Sequence, residues 1–125
     1  MRTSKLKKYR EVANFSNVIE CTLKKSHPYS IEERFNESIF KENQPIVIEI
    51  GCGKGEYTIS LAEFDSSLNY IGVDIKGTRI WHGAKYAIEN ELHNVCFVRM
   101  RVEHIDEFFI ENSIDEMWIT FPDPI

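Results

Sequence analysis

The stretch Pro45-Ile46-Val47-Ile48-Glu49-Ile50-Gly51-Cys52-Gly53-Lys54-Gly55 decides how the chain is read. β-Branched residues follow a proline and run into glycines, the pattern of a short strand buried on both faces. The glycines let the backbone turn tightly and let a ligand approach it with no Cβ in the way. A strand that ends in such a turn and opens a helix is a nucleotide-type site, and spacing discriminates among its ligands. A dinucleotide fingerprint, G-x-G-x-x-G, needs glycine where Glu56 stands, and that carboxylate would face a pyrophosphate. A P-loop needs serine or threonine after its lysine, whereas Gly55 follows Lys54. Both phosphate readings fail.

Downstream of the turn the chain alternates. Residues 56–64 carry Tyr57, Leu61, Ala62 and Phe64 at helical offsets, and Asp65-Ser66-Ser67 breaks the chain before a second strand, Tyr70-Ile71-Gly72-Val73-Asp74. Thr78 can cap an amphipathic helix whose apolar positions Ile80, Trp81, Ala84, Ala87, Ile88 and Leu92 recur at three- and four-residue steps. Val95-Cys96-Phe97-Val98 is a third strand, and Ile105, Phe108 and Phe109 mark a short helix. A fourth strand, Met117-Trp118-Ile119-Thr120-Phe121, ends in Pro122-Asp123-Pro124. This order predicts an α/β fold: a doubly wound, Rossmann-like parallel sheet with right-handed crossovers. Ligands of such sheets bind beyond the carboxyl ends of the strands, here after Ile50, Val73, Met100 and Phe121. Asp74 ends the second strand nineteen residues past Gly55. That matches the roughly 20 residues expected of an acid that accepts from ribose hydroxyls.

Upstream, residues 1–44 are polar and interrupted, with Phe15, Val18, Ile19, Ile31, Phe35, Ile39 and Phe40 in no sustained period. They read as a basic arm with an irregular or short helical lead-in, and 45–125 as an α/β half domain. Arg2, Lys5, Lys7, Lys8 and Arg10 give the first ten residues a charge of +5, against −5 for the whole chain. The acidic balance argues against a generic nucleic-acid binder, and the arm restores a local footprint for one. With 125 residues, 42% hydrophobic and 28% charged, the chain fits one globular domain rather than a fibrous or disordered protein. Cys21, Cys52 and Cys96 are odd in number and widely spaced, as reduced thiols would be, and no apolar run approaches the roughly 18 residues of a membrane span. A cytoplasmic protein is expected.

Glu49-Ile50-Gly51-Cys52-Gly53-Lys54-Gly55 resembles the first motif of the class I S-adenosylmethionine methyltransferases, E/D-x-G-x-G-x-G. The resemblance implies S-adenosylmethionine as cofactor, held by Glu49, Gly51, Gly53, Gly55 and Asp74. The ligand is a zwitterion carrying a sulfonium, which an acidic Glu49 suits and which a phosphate site would not. At the other end, Phe121-Pro122-Asp123-Pro124, with Ile114-Asp115 upstream and Asn94-Val95 opening the third strand, resembles the bacterial tRNA (guanine-N7)-methyltransferase family. Amino-group methyltransferases usually carry D/N-P-P-Y/F there, so methylation of an exocyclic amine is disfavoured. The family resemblance implies tRNA as substrate and Asp123 as the catalytic or guanine-binding acid. Two positions depart from it. Arg101-Val102 stands where the family has Asp-Ala against the adenine, and a guanidinium cannot accept from an amino group, so either backbone groups hold the adenine or neighbouring Glu103 substitutes; Ile125 stands where an aromatic is common.

Guanine N7 presents an accessible lone pair, so the reaction needs alignment more than a general base, and Asp123 would favour the positive charge that develops on the purine. Another class I methyltransferase and a non-catalytic S-adenosylmethionine or RNA-binding module are the alternative readings. His82, His93 and His104 lie on different segments without the spacing of a metal site, Trp81 and Tyr86 read as helix packing, and Cys52 as a small packing residue without a histidine partner. Four readable strands, against seven in the class I fold, lead to the expectation that these residues are the N-terminal part of the domain and do not turn over tRNA alone.

Overall fold

A strand buried at all five of its positions must be paired on both edges and covered on both faces, and the computed structural model gives Ile46–Ile50 that place. The structure describes residues 4–20 and 40–101 and the backbone of 116–119. In chain order these form α1 (Lys5–Val12), β1 (Val18–Glu20), β2 (Ile46–Ile50), α2 (Glu56–Phe64), β3 (Asn69–Asp74), α3 (Gly77–Glu89), β4 (Val95–Arg99) and β5 (Glu116–Ile119). The strands make one parallel sheet in the order β1-β4-β3-β2-β5. From β2 the chain steps through β3 to β4 in one direction, and β5 then pairs on the other side of β2. That reversal is a topological switch point, and the turn after β2 lies at it.

Alternation along the strands builds two apolar layers. Ile46, Ile48 and Ile50 join Ile71, Val73, Cys96 and Val98 on one face, with Phe40 packed among them. Val47, Tyr70, Val95 and Phe97 point to the other face, where Ile59 and Ala62 of α2, Ile80, Trp81, Ala84 and Ala87 of α3, and Val12 of α1 cover them. All three described helices therefore lie on the same face. The helix expected around Ile105–Phe109 and the end of the last strand at Thr120 and Phe121 lie outside the described residues.

The lead-in departs from expectation. Residues 18–20 form a fifth strand, pairing with β4 in the register Val18↔Phe97, where the sequence shows only an unperiodic stretch. Three residues are too few to show an alternation, so this strand is specified by its partner. The basic arm is a helix docked on α3. Ser4 caps it by accepting from the Lys7 N–H at 3.2 Å, Val12 is buried in the core, and Glu11 Oε1 accepts from Trp81 Nε1 at 2.8 Å. Lys8 Nζ stands 5.1 Å from the Trp81 ring centroid, and Arg99 donates to the Tyr9 hydroxyl at 2.7 Å. Lys5, Lys7 and Arg10 are left exposed.

Helix α3 starts two residues earlier than a Thr78 cap would place it. Lys76 occupies the cap, and Thr78 stands inside the first turn without a capping role; Asp74 Oδ1 instead accepts from the Lys76 N–H at 2.9 Å. Asn94, just before β4, donates its side-chain amide to the carbonyls of Ala62, Asp65 and Leu68, closing the carboxyl end of α2 against the sheet.

Removing two buried methyl groups with Val12→Ala should cost about 2 kcal/mol in a urea unfolding titration. A loss under about 0.5 kcal/mol would mean that α1 is a detached tail.

Candidate functional site

The turn between β2 and α2 is held from below by the sheet. Gly51 and Cys52 both donate their N–H groups to the Val73 carbonyl, at 2.8 and 3.0 Å, and Gly55 N–H returns to the Cys52 carbonyl at 2.9 Å. Three bonds in five residues force left-handed backbone at Gly51 (φ 76°), Gly53 (φ 59°) and Gly55 (φ 79°), which other residues adopt only under strain. A Cβ built on Gly53 would meet nothing within 4 Å, so this glycine faces open space where a ligand can lie against the backbone.

Asp74 ties the turn to the end of β3. Its Oδ2 accepts from the Gly53 N–H at 2.9 Å while Oδ1 accepts from Lys76 N–H, and each oxygen keeps a further lone pair. Glu49 lies on the helical side of β2, almost wholly buried, and its carboxylate accepts from the Thr58 hydroxyl of α2. Two acids thus bracket one glycine turn. Their field registers on Cys52: burial, then Asp74, then Glu49 push its thiol well above the ordinary range. A turn of this polarity favours a cationic or zwitterionic ligand and repels phosphate.

The structure brings Glu49, Gly51, Gly53, Gly55 and Asp74 together as expected from the sequence. Arg101 follows β4 on the same carboxyl-end side, exposed, next to Met100, whose N–H donates to the Asp74 carbonyl at 3.0 Å. Val102 and Asp123 lie outside the described residues. Trp81 is core, as read, but Tyr86 is 41% exposed and donates to Glu63 at 2.9 Å. Among the described residues no group of His, Cys, Asp and Glu could hold a metal ion, and His104 is not among them. The sequence reading missed Thr58, which no local pattern links to Glu49. It placed Phe97 in a strand but missed that its ring packs against Gly55 of the turn, although glycines in the interiors of β3 and α3 signal a close approach there. A cavity of about 480 Å³ opens at the opposite pole, lined by Gln44, Ser66, Leu92 and Asn94 among others. It contains none of the expected site residues.

Comparison with known proteins agrees with this geometry. A family described as putative methyltransferase matches residues 43–125. A tRNA (guanine-N(7)-)-methyltransferase of Christiangramia forsetii is 45% identical over 123 residues, 97% of this chain and 55% of that protein. The chain belongs to the tRNA (guanine-N7)-methyltransferase family. It spans about half the length of the curated relatives it matches. Among solved structures, an antibiotic-related methyltransferase superposes with a TM-score of 0.61 at 26% identity, covering 81% of this chain and 51% of that one. PKMT2 of Rickettsia typhi, in complex with AdoHcy, gives 0.52 at 26% identity, covering 73% and 18%. The α/β methyltransferase fold read from the sequence is the fold of the family. No described helix is long and apolar enough to cross a membrane.

Cys52 and Cys96 are both buried with their thiols pushed upward, Cys96 by burial alone. Only the thiolate is alkylated, so both positions should stay unmodified by iodoacetamide at pH 8 until denaturant is added, as read by peptide mass mapping. Because the folded state holds these protons more tightly than the unfolded chain, stability should be intact below about pH 8.5 and fall as pH rises beyond it. Rapid native alkylation at Cys52 would contradict the burial of its thiol.

Proposed function

We propose that this protein transfers the methyl group of S-adenosylmethionine to N7 of a guanine in tRNA. The observation that carries the reading is the pair Glu49 and Asp74 on either side of an open glycine turn at the switch point of the sheet. The residues fit the cofactor. Asp74 retains lone pairs for ribose hydroxyls, the bare face of Gly53 admits the chain of the ligand, and buried Glu49 supplies negative charge beside an ammonium and a sulfonium. When bound, S-adenosylmethionine supplies a methyl on positively charged sulfur, open to in-line displacement. Arg101 follows β4 on the side assigned to the adenine, with Val102 next in sequence; since the guanidinium only donates, backbone groups or Glu103 would accept from the adenine amino group.

On the acceptor side, Ile119 is the register partner of Ile50, and Asp123 follows it by four residues. Asp123 would accept from guanine N1–H and the N2 amino group and stabilise the charge that moves onto the purine. N7 needs no proton removed, so these residues act by holding and aligning. Lys5, Lys7 and Arg10, exposed on a docked helix, would meet the phosphate backbone, each contact contributing about 0.7–0.9 to the salt slope. Such a substrate places the protein in the cytoplasm.

The test places this sequence in a protein of its relatives' full length, about twice that of the chain, supplies radiolabelled donor and unmodified tRNA, and identifies the product nucleoside by mass spectrometry. We expect 7-methylguanosine, a rate about 100-fold lower for Asp123→Ala, and donor affinity weakened by about 1.5–3 kcal/mol for Asp74→Ala. Label in a different acceptor would identify another class I methyltransferase, and donor binding without transfer to any acceptor a non-catalytic module.

A further inference from the structure

Phe97 is not among the residues assigned to a ligand, yet the glycine turn rests on it. The ring is fully buried on the helical face of β4, opposite Gly72 of β3 in the sheet register. A Cβ at Gly72 would stand 2.8 Å from Phe97 Cδ1 and Cε1, one at Gly55 2.8 Å from Cε1, and one at Gly83 of α3 2.7 Å from Cζ. Real Cβ atoms do not come so close. Three glycines from strand, turn and helix therefore leave the space that one phenyl ring fills. Gly83 also packs against the turn directly, since its Cβ would lie 2.9 Å from the Lys54 carbonyl oxygen.

The Lys54-Gly55 end of the turn thus sits on an aromatic floor, while Gly53, two residues earlier, faces open space and donates to Asp74. Close-packed interiors transmit such contacts rigidly. A ring one carbon layer smaller would let the turn sink and draw the Gly53 N–H away from Asp74. We propose that Phe97 is a positioning residue for the methyl-donor turn: seated on Gly55, Gly72 and Gly83, it fixes the height at which Gly53 and Asp74 meet the donor. This rests on the donor reading above. It assigns a specific task to a residue on a strand with no place in the motif.

The test measures affinity for S-adenosylhomocysteine by calorimetry in the intact protein, together with hydrogen exchange of the Gly53 amide without ligand. Phe97→Leu should weaken affinity at least 10-fold and accelerate Gly53 exchange. Ile71→Val, a buried truncation on the opposite face of the sheet, should change affinity less than 2-fold. Refilling the space from the strand side, Phe97→Leu with Gly72→Ala, should bring affinity back to within about 3-fold of wild type. Should Phe97→Leu prove too unstable to titrate, Phe97→Met gives the same comparison, with faster Gly53 exchange expected. Unchanged affinity and exchange on truncating Phe97, or an equal loss in Ile71→Val, would overturn the positioning role while wild-type binding kept the donor reading intact. Absence of binding by the wild type would defeat the donor reading and this inference together.

Discussion

One hydrogen bond, from the Gly53 N–H to Asp74 Oδ2 at 2.9 Å, joins the two halves of the candidate site. It exists because β2 and β3 are paired through to Ile50↔Val73, so the Val73 carbonyl receives both Gly51 and Cys52 as the chain leaves the sheet. Move the register by one residue and every side chain exchanges faces; Glu49 would leave Thr58, and the turn would lose its support. The same carboxylate sets the start of α3 through Lys76. Turn, strand end and helix start thus share one side chain.

Charge is distributed to the same end. The body of the chain is acidic and concentrates two carboxylates at the glycine turn, while the cations of the amino-terminal segment are carried on a helix fixed to α3 through Val12 and the Glu11–Trp81 bond. A rigid cationic helix can hold phosphates at set positions relative to the crevice, which a loose tail cannot do. Under the proposed function the acids would attract the sulfonium ligand and the helix would meet the phosphate backbone, so that one chain would bind ligands of opposite charge.

What could be read in the sequence was local. The β-branched run into glycines, Asp74 at its spacing, and the helical period through Ile80, Ala84 and Ala87 each declare themselves within a few residues, and the structure has them as read. What was hidden is tertiary. Val18–Glu20 is too short to show a period and becomes a strand only against β4. Thr78 has the composition of a cap, but Asp74 already satisfies the Lys76 N–H at the helix start, so the helix begins without it. The link from Glu49 to Thr58 and the seat of Phe97 join elements far apart along the chain; for the latter, Gly72 and Gly83 were the visible trace, glycines where a strand and a helix would ordinarily avoid them.

The central claim is that the carboxyl-end crevice holds the methyl donor. It is tested most directly by titrating S-adenosylhomocysteine into isotopically labelled protein and following backbone amide resonances. The account predicts saturable shifts at Gly51, Gly53, Gly55 and Asp74, with Leu92, His93 and Asn94 at the opposite pole unmoved. Shifts centred on that pole, where the cavity of about 480 Å³ opens, or no saturable shift at the glycine turn, would contradict it.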